Sequence, residues 1–276
     1  MLLPESEQSG GALVDQGTPV LEARNVTFSY GSVQVLFGVD LEVRQGEAVA
    51  LLGTNGAGKS TVLRNISGLS VPSNGAVFFQ GRDVTKIPAE RRVRLGITHV
   101  PGGRSVFPSL SVLENLRTSA YFINNRRKVE EGIDRVFASF PELADRQSQR
   151  AGTLSGGQQQ MLAIGRALLT KPVLLMVDEL SLGLAPVVVE RLAGFVRELQ
   201  QQGVSLLLVE QSVNVALSVC DRAYFLERGR VRFSGPTADL LDRPDILRSV
   251  FLSHARSALA PGHEGRGDDR TAGGAR

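Results

Sequence analysis

The sequence predicts an α/β fold in which a parallel sheet is wound with crossover helices. Three observations carry this. The run at 48–52 (Ala-Val-Ala-Leu-Leu) is continuously apolar, the mark of a fully buried strand, and it leads straight into a glycine-rich stretch. Two more apolar runs, at 173–177 and 204–209, have the same character, and each follows a helical stretch. Buried strands separated by helices are satisfied by a parallel sheet covered on its faces.

Ahead of the first buried run, Val26, Phe28 and Tyr30 alternate with polar residues, as do Val39, Leu41 and Val43. That period of two predicts half-buried antiparallel strands, an N-terminal β-subdomain. The stretch from about 87 to 160 is dense in charge and holds the turn formers Pro101, Gly102, Gly103 and Pro108. It reads as a helical insertion beside the core. Residues 1–18 carry Glu5, Glu7 and Asp15 without apolar periodicity, and residues 254–276 are rich in Gly, Arg and Asp. A flexible leader and a disordered tail are expected there, leaving one domain over 19–253.

Composition narrows the partners. Lys and Arg total 31 against 28 Asp and Glu, a net charge of +3, too small to argue for nucleic acid. The basic clusters Arg91-Arg92-Arg94 and Arg126-Arg127-Lys128 read first as solvated helix faces, with a surface near anionic lipid as the sharper alternative. Cys220 is the one cysteine, so no intramolecular disulfide can form, as suits a reducing compartment. The longest apolar runs are strand-length, far short of the roughly 20 residues a membrane helix needs. The N-terminus lacks a basic region followed by a long apolar one, so no signal peptide is expected. A soluble chain that reaches a membrane only through a partner fits all of this.

The strongest chemical signal follows the first buried strand: Gly53, Thr54, Asn55, Gly56, Ala57, Gly58, Lys59, Ser60 and Thr61. This is the phosphate-binding loop pattern in its required strand-to-helix context. Glycines let backbone N–H groups wrap phosphates, Lys59 can reach the β- and γ-phosphates, and the Ser60 hydroxyl can hold Mg²⁺. The helix from Thr61 onward aims its N-terminus at the same anion. The core is therefore predicted to be of the phosphate-loop NTPase, RecA-like kind.

The run at 173–177 ends in Asp178 and Glu179. Two carboxylates closing an apolar strand are costly unless a cation or water meets them. In phosphate-loop enzymes a carboxylate here holds Mg²⁺, which assigns Asp178 to the metal and leaves Glu179 to take a proton from attacking water. Upstream, Leu154-Ser155-Gly156-Gly157-Gln158 opens a helix running to about Leu169. Ser155, Gly156 and Gly157 present a hydroxyl and bare N–H groups at that helix start, a second anion site. One nucleotide needs two such sites only if they come from different subunits.

Leu154–Gln158 resembles the signature of the ATP-binding cassette family, and the three ordered motifs extend that resemblance over about residues 20–253. It implies that the signature of one subunit, with Gln158, closes over ATP held by the other's loop. It also implies that Tyr30, in Ser29-Tyr30-Gly31, stacks on adenine. Subfamily phrases are similar to the ATPases of branched-chain amino acid importers, the LivF type: Val106-Phe107-Pro108 with Val112 to Leu116, Gln159 to Leu168, Ser181 to Pro186, and Val209-Glu210-Gln211. Importers of urea and other amides look alike. The resemblance implies ATP and Mg²⁺ as cofactors, a second cassette subunit, membrane permeases, indirectly a substrate-binding protein, and a place at the cytoplasmic face of the membrane.

Three positions depart from the general family. Gln211 stands where it has histidine, as in the LivF type; glutamine can position water but cannot carry a proton. Gly102 stands where a glutamine or glutamate senses the partner, leaving either a looser loop served by Arg104 or water, or a weaker link to the partner. Leu180 replaces a proline after Asp178-Glu179, which predicts a freer loop. A nucleotide-gated subunit with little hydrolysis is thus a second reading. A two-cassette translation factor or a coiled-coil chromosome ATPase is disfavoured by the single phosphate loop and by the absence of heptads between Lys59 and Asp178. No Asn-Lys-x-Asp motif suggests a GTPase.

Overall fold

A computed structural model describes residues 19–103, 105–123, 125–181 and 186–246. The expected leader and tail, Arg104 and residues 182–185 lie outside them. In chain order come β1 (Pro19–Tyr30), β2 (Val33–Arg44), β3 (Ala48–Gly53), α1 (Lys59–Ser67), β4 (Asn74–Phe79) and β5 (Arg82–Asp83). Then follow α2 (Ala89–Leu95), β6 (Ile97–Val100), α3 (Val112–Ser119), α4 (Arg126–Ser139), α5 (Pro141–Ala144) and α6 (Gly156–Leu168). The chain continues through β7 (Leu174–Asp178), α7 (Pro186–Gln201), β8 (Ser205–Glu210), α8 (Val213–Val219), β9 (Arg222–Glu227) and β10 (Arg230–Pro236).

The main sheet has the order β10-β9-β3-β8-β7-β6, parallel except for β10 at one edge. Its strands are apolar on both faces because each face is covered. Ala48, Ala50 and Leu52 of β3 pack with Met161 of α6 and Leu192 of α7 in one core. Val49 and Leu51 point the other way, into a core shared with Val62 of α1 and Leu36 of β2. Each fully buried Leu contributes about 1.5–3 kcal/mol, so neither face could be left open. β2, β1, β4 and β5 form a separate antiparallel sheet, in which Val26, Val39, Leu41 and Val43 are buried as their alternation predicts.

The stretch from 87 to 160 differs from its sequence reading in one respect. Helices α2 to α5 lie in it, but Ile97–Val100 is a strand of the main sheet, paired in parallel with β7. It hides in sequence because it is four residues long, with Gly96 at φ 104° before it and Pro101 after it. The basic cluster at 91–94 is also not one solvated face. Arg92 is fully buried. Its guanidinium donates to the carbonyls of Asn65 (2.8 Å) and Ile66 (2.6 Å) at the end of α1, and to those of Ile87 (2.7 Å) and Thr85 (2.9 Å). A planar five-donor fork collects carbonyls that a helix end cannot satisfy alone. Burial pushes its pKa down to about 10, still well above neutrality.

Candidate nucleotide site

The C-terminal ends of β3, β7 and β8 meet at one level of the sheet, with Leu52 paired to Glu210 and Asp178 to Val209. This is where open α/β sheets place ligands. β3 delivers the chain into the loop at Gly53, whose φ is +154° and where a Cβ would lie 2.2 Å from the Leu226 carbonyl oxygen. No side chain fits there. The loop re-enters helix at Gly58, φ +105°, pressed against Leu36. α1 begins with no side-chain cap, which leaves its first N–H groups able to meet an anion.

Lys59, the first residue of α1, is buried, and its ammonium donates to the carbonyls of Gly53 (2.8 Å) and Thr54 (3.0 Å). Burial lowers its pKa, while the negative charges of Asp178, Glu179 and Glu210 pull the other way. Ser60 follows with an exposed side chain, and Thr61 turns inward. The phosphate loop and the strand-end carboxylates therefore share one electrostatic neighbourhood.

Asp178 ends β7, buried, and its Oδ1 has no hydrogen-bond partner among the described residues. An orphaned buried carboxylate oxygen is expensive, and a hydrated cation would relieve it. Asp178 and the Ser60 hydroxyl offer two hard oxygens, which fits Mg²⁺, an ion that takes its other ligands from phosphate and water. Among the described residues no group of three or more His, Cys, Asp or Glu gathers for a metal.

Glu179 adopts φ +59°, the left-handed region rare for a residue with a Cβ. Its N–H donates to the Val209 carbonyl (3.0 Å) and its Oε1 accepts from the Gln211 carboxamide (2.9 Å). Gly102 lies beside it, such that a Cβ there would sit 3.3 Å from the Glu179 Oε2. Leu180 is 2% exposed inside the core, and the loop it is expected to free runs into residues 182–185, outside the described residues.

Two features of this neighbourhood escape the sequence reading. Glu210 is buried at the end of β8, accepting from the Ser181 N–H (3.1 Å) and hydroxyl (2.7 Å), and burial pushes its pKa up to about 7. His99, on β6, has both ring nitrogens buried without a hydrogen-bond partner among the described residues, and burial lowers its pKa. An apolar run ending in Glu was the available signal for Glu210. His99 gave none, being a lone histidine in an edge strand.

Other predicted residues stand apart. Tyr30 ends β1 with its ring 49% exposed, edge-on to Phe28 at 4.8 Å between centroids. Its hairpin continues to Val35 and Leu36, which back Gly58. Ser155 caps α6 in a reciprocal capping box with Gln158. Ser155 and Gly156 are exposed while Gly157 is buried, and a Cβ on Gly157 would come within 3.0 Å of Val188 of α7. The hydrogen bonds of Ser155 and Gln158 close on each other, so the helix head stays presented to the outside.

Comparison with known proteins agrees with this geometry. The family described as ABC transporter matches residues 36–181. The high-affinity branched-chain amino acid transport ATP-binding protein BraG of Pseudomonas aeruginosa is 43% identical over 84% of this chain and 99% of its own length. The probable branched-chain amino acid transport ATP-binding protein LivF of Archaeoglobus fulgidus is 38% identical over 81% of this chain and 94% of its own. Among solved structures, the ADP conformation of MJ1267, an ATP-binding cassette of an ABC transporter, superposes with a TM-score of 0.76 at 26% identity, covering 85% of this chain and 99% of that one. Matches of this length leave one assignment: the chain belongs to the ABC transporter family, and the part it contributes is an ATPase.

Proposed function

We propose that this chain binds and hydrolyses Mg-ATP to energise uptake of branched-chain amino acids, or of a related small amide or amino acid, through membrane permease partners. The observation that carries the chemistry is Glu179, held by Gln211 at the strand ends whose carboxylates act on Lys59. The substrate class rests on the likeness to BraG and LivF.

In this reading the backbone of residues 53–61 (Gly53, Thr54, Asn55, Gly56, Ala57, Gly58, Lys59, Ser60 and Thr61) wraps the phosphates. Lys59 exchanges two carbonyl acceptors for phosphate oxygens. Tyr30 supplies a ring face for adenine from the hairpin beside Gly58. Ser60 and Asp178 would hold Mg²⁺, which when bound neutralises phosphate charge. Glu179 takes the proton of the attacking water, a contribution of roughly 10²–10⁴ in rate. Gln211 orients that carboxylate without accepting its proton, since a carboxamide is not a base.

Ser155, Gly156, Gly157 and Gln158 serve the nucleotide of a second cassette subunit, in a head-to-tail homo- or heterodimer. Among the described residues no helix is long and apolar enough to cross a membrane. Attachment at the cytoplasmic face would run through the permeases, with a substrate-binding protein delivering cargo on the far side and no nucleic acid involved.

Glu179→Gln tests the assignment: ATP binding should persist within about twofold while turnover falls by 10² or more. Turnover near wild type would remove Glu179 as the base. A second reading, a subunit that closes on nucleotide while its partner cassette hydrolyses, is favoured by Gly102, which offers no side chain where the family has a sensor. ATPase rates of the chain alone and with a second cassette separate the two.

A further inference from the structure

Glu210 carries a carboxyl group, is 2% exposed, and is placed one residue before Gln211. What meets its carboxylate is a pair of donors from one residue rather than a cation: Ser181 through its peptide N–H (3.1 Å) and its hydroxyl (2.7 Å). Burying a carboxylate here costs free energy that an apolar residue of similar volume would not. Packing alone therefore does not account for it.

The geometry around it does. Glu179 holds a left-handed backbone at φ +59°, a conformation that persists in a residue with a Cβ only where its surroundings over-determine it. Three links join the chain at 179–181 to the chain at 209–211. Glu179 donates its N–H to the Val209 carbonyl, Ser181 donates twice to Glu210, and Gln211 donates to Glu179. The first link precedes the Glu179 side chain and the second follows it by two residues. Between them the turn is clamped on both sides, and the third link can form only if it stays so.

We infer that Glu210 is a positioning residue for hydrolysis: by holding Ser181 it fixes the turn that presents Glu179 to Gln211. It touches neither nucleotide nor water and acts through the placement of the base, so the inference rests on Glu179 having that role. Ground-state binding of ATP belongs to the loop at 53–61, which Glu210 reaches only as the last and smallest of three carboxylate influences on Lys59.

The test uses the full-length chain assembled with its partner subunits, at pH 8 with saturating Mg-ATP. Glu210→Gln, of the same shape, should lower kcat at least about tenfold with KM within about twofold, and Ser181→Ala should lower kcat about threefold. The double variant should be no slower than Glu210→Gln alone, because both changes weaken the same link between Ser181 and residue 210. Ser181 is half-buried, so its variant keeps the question open should Glu210→Gln fold poorly. Unchanged kcat in Glu210→Gln, or a double variant whose losses multiply, overturns the inference. Glu179→Gln run in parallel separates the two levels. If it abolishes turnover while Glu210→Gln keeps it, only the positioning role falls; if it keeps turnover, the base assignment falls and the positioning role with it.

Discussion

Lys59 shows how one residue can serve both the fold and the proposed chemistry. Its ammonium is buried and hydrogen-bonded to two carbonyls of the loop it follows, and three carboxylates oppose the lowering of its pKa by burial. Lys59→Ala should weaken ATP binding at least tenfold, since hydrogen bonds to charged groups are worth about 1.5–3 kcal/mol each; equilibrium titration with a fluorescent ATP analogue reads this, and undiminished affinity would sink the phosphate-loop assignment. Arg92 is a structural counterpart, with its donors spent on four backbone carbonyls. Arg92→Ala takes a donor from each of those carbonyls, of which that of Asn65 keeps the Gly68 N–H (3.4 Å), at about 2–4 kcal/mol. Thermal unfolding should shift down by roughly 4–16 °C in a domain of this size. Arg92→Lys should recover little of it, because a point ammonium cannot span the four.

Among the elements, β8 makes the clearest link between sequence and energetics. Its apolar run is a strand by any reading, yet its last residue is a carboxylate whose pKa burial raises to about 7 from an ordinary 4.5. In the folded chain Glu210 takes up a proton as pH falls through about 7, whereas in the unfolded chain it does so only near 4.5. Between those values the native state binds the extra proton, so this group's contribution to stability declines as pH rises from about 4.5 to about 7. The full span is about 3 kcal/mol. Urea unfolding at pH 5 and pH 8 should show Glu210→Gln gaining stability relative to wild type at the higher pH by an amount of that order; a constant difference would contradict it.

Other elements differ in how much the residues betray. β3, β7 and β8 are legible because burial on both faces demands unbroken apolar runs, and the loop at 53–58 because its backbone admits only glycine at Gly53. β6 is illegible because four residues between a glycine and a proline carry no periodicity, and its partner β7 lies more than seventy residues away. β9 and β10 carry no chemical motif, so no site argument led to them. Asp178 and Glu179 stand out in the sequence as candidates for chemistry, but the left-handed backbone at Glu179 does not, since nothing in Asp-Glu-Leu requires it. Ser181 and Glu210 meet across 29 positions of sequence, a pairing that only the sheet register creates.

Among the described residues, the two helix heads proposed as anion sites face different problems. α1 receives its loop from β3 and is surrounded by the strand-end carboxylates. α6 begins at exposed Ser155 and Gly156, and its cap bonds only to itself. A monomer has no use for the second head, whereas two copies set head to tail would put each α6 over the other's nucleotide. Blocking hydrolysis should then trap the closed pair. Glu179→Gln with Mg-ATP should sediment at twice the 29.6 kDa of one chain, or as the corresponding heterodimer when a second cassette is supplied, and return to monomer when ATP is replaced by ADP. Adding Gly156→Asp places a carboxylate where the partner's phosphate would come. An acidic residue in the first turn favours the helix itself, so the monomer should fold and bind ATP within about twofold of the parent, while like-charge repulsion across the interface abolishes pairing. A pair that survives Gly156→Asp would show that the α6 head does not face nucleotide, and the head-to-tail arrangement would have to be given up even with the ATPase assignment intact.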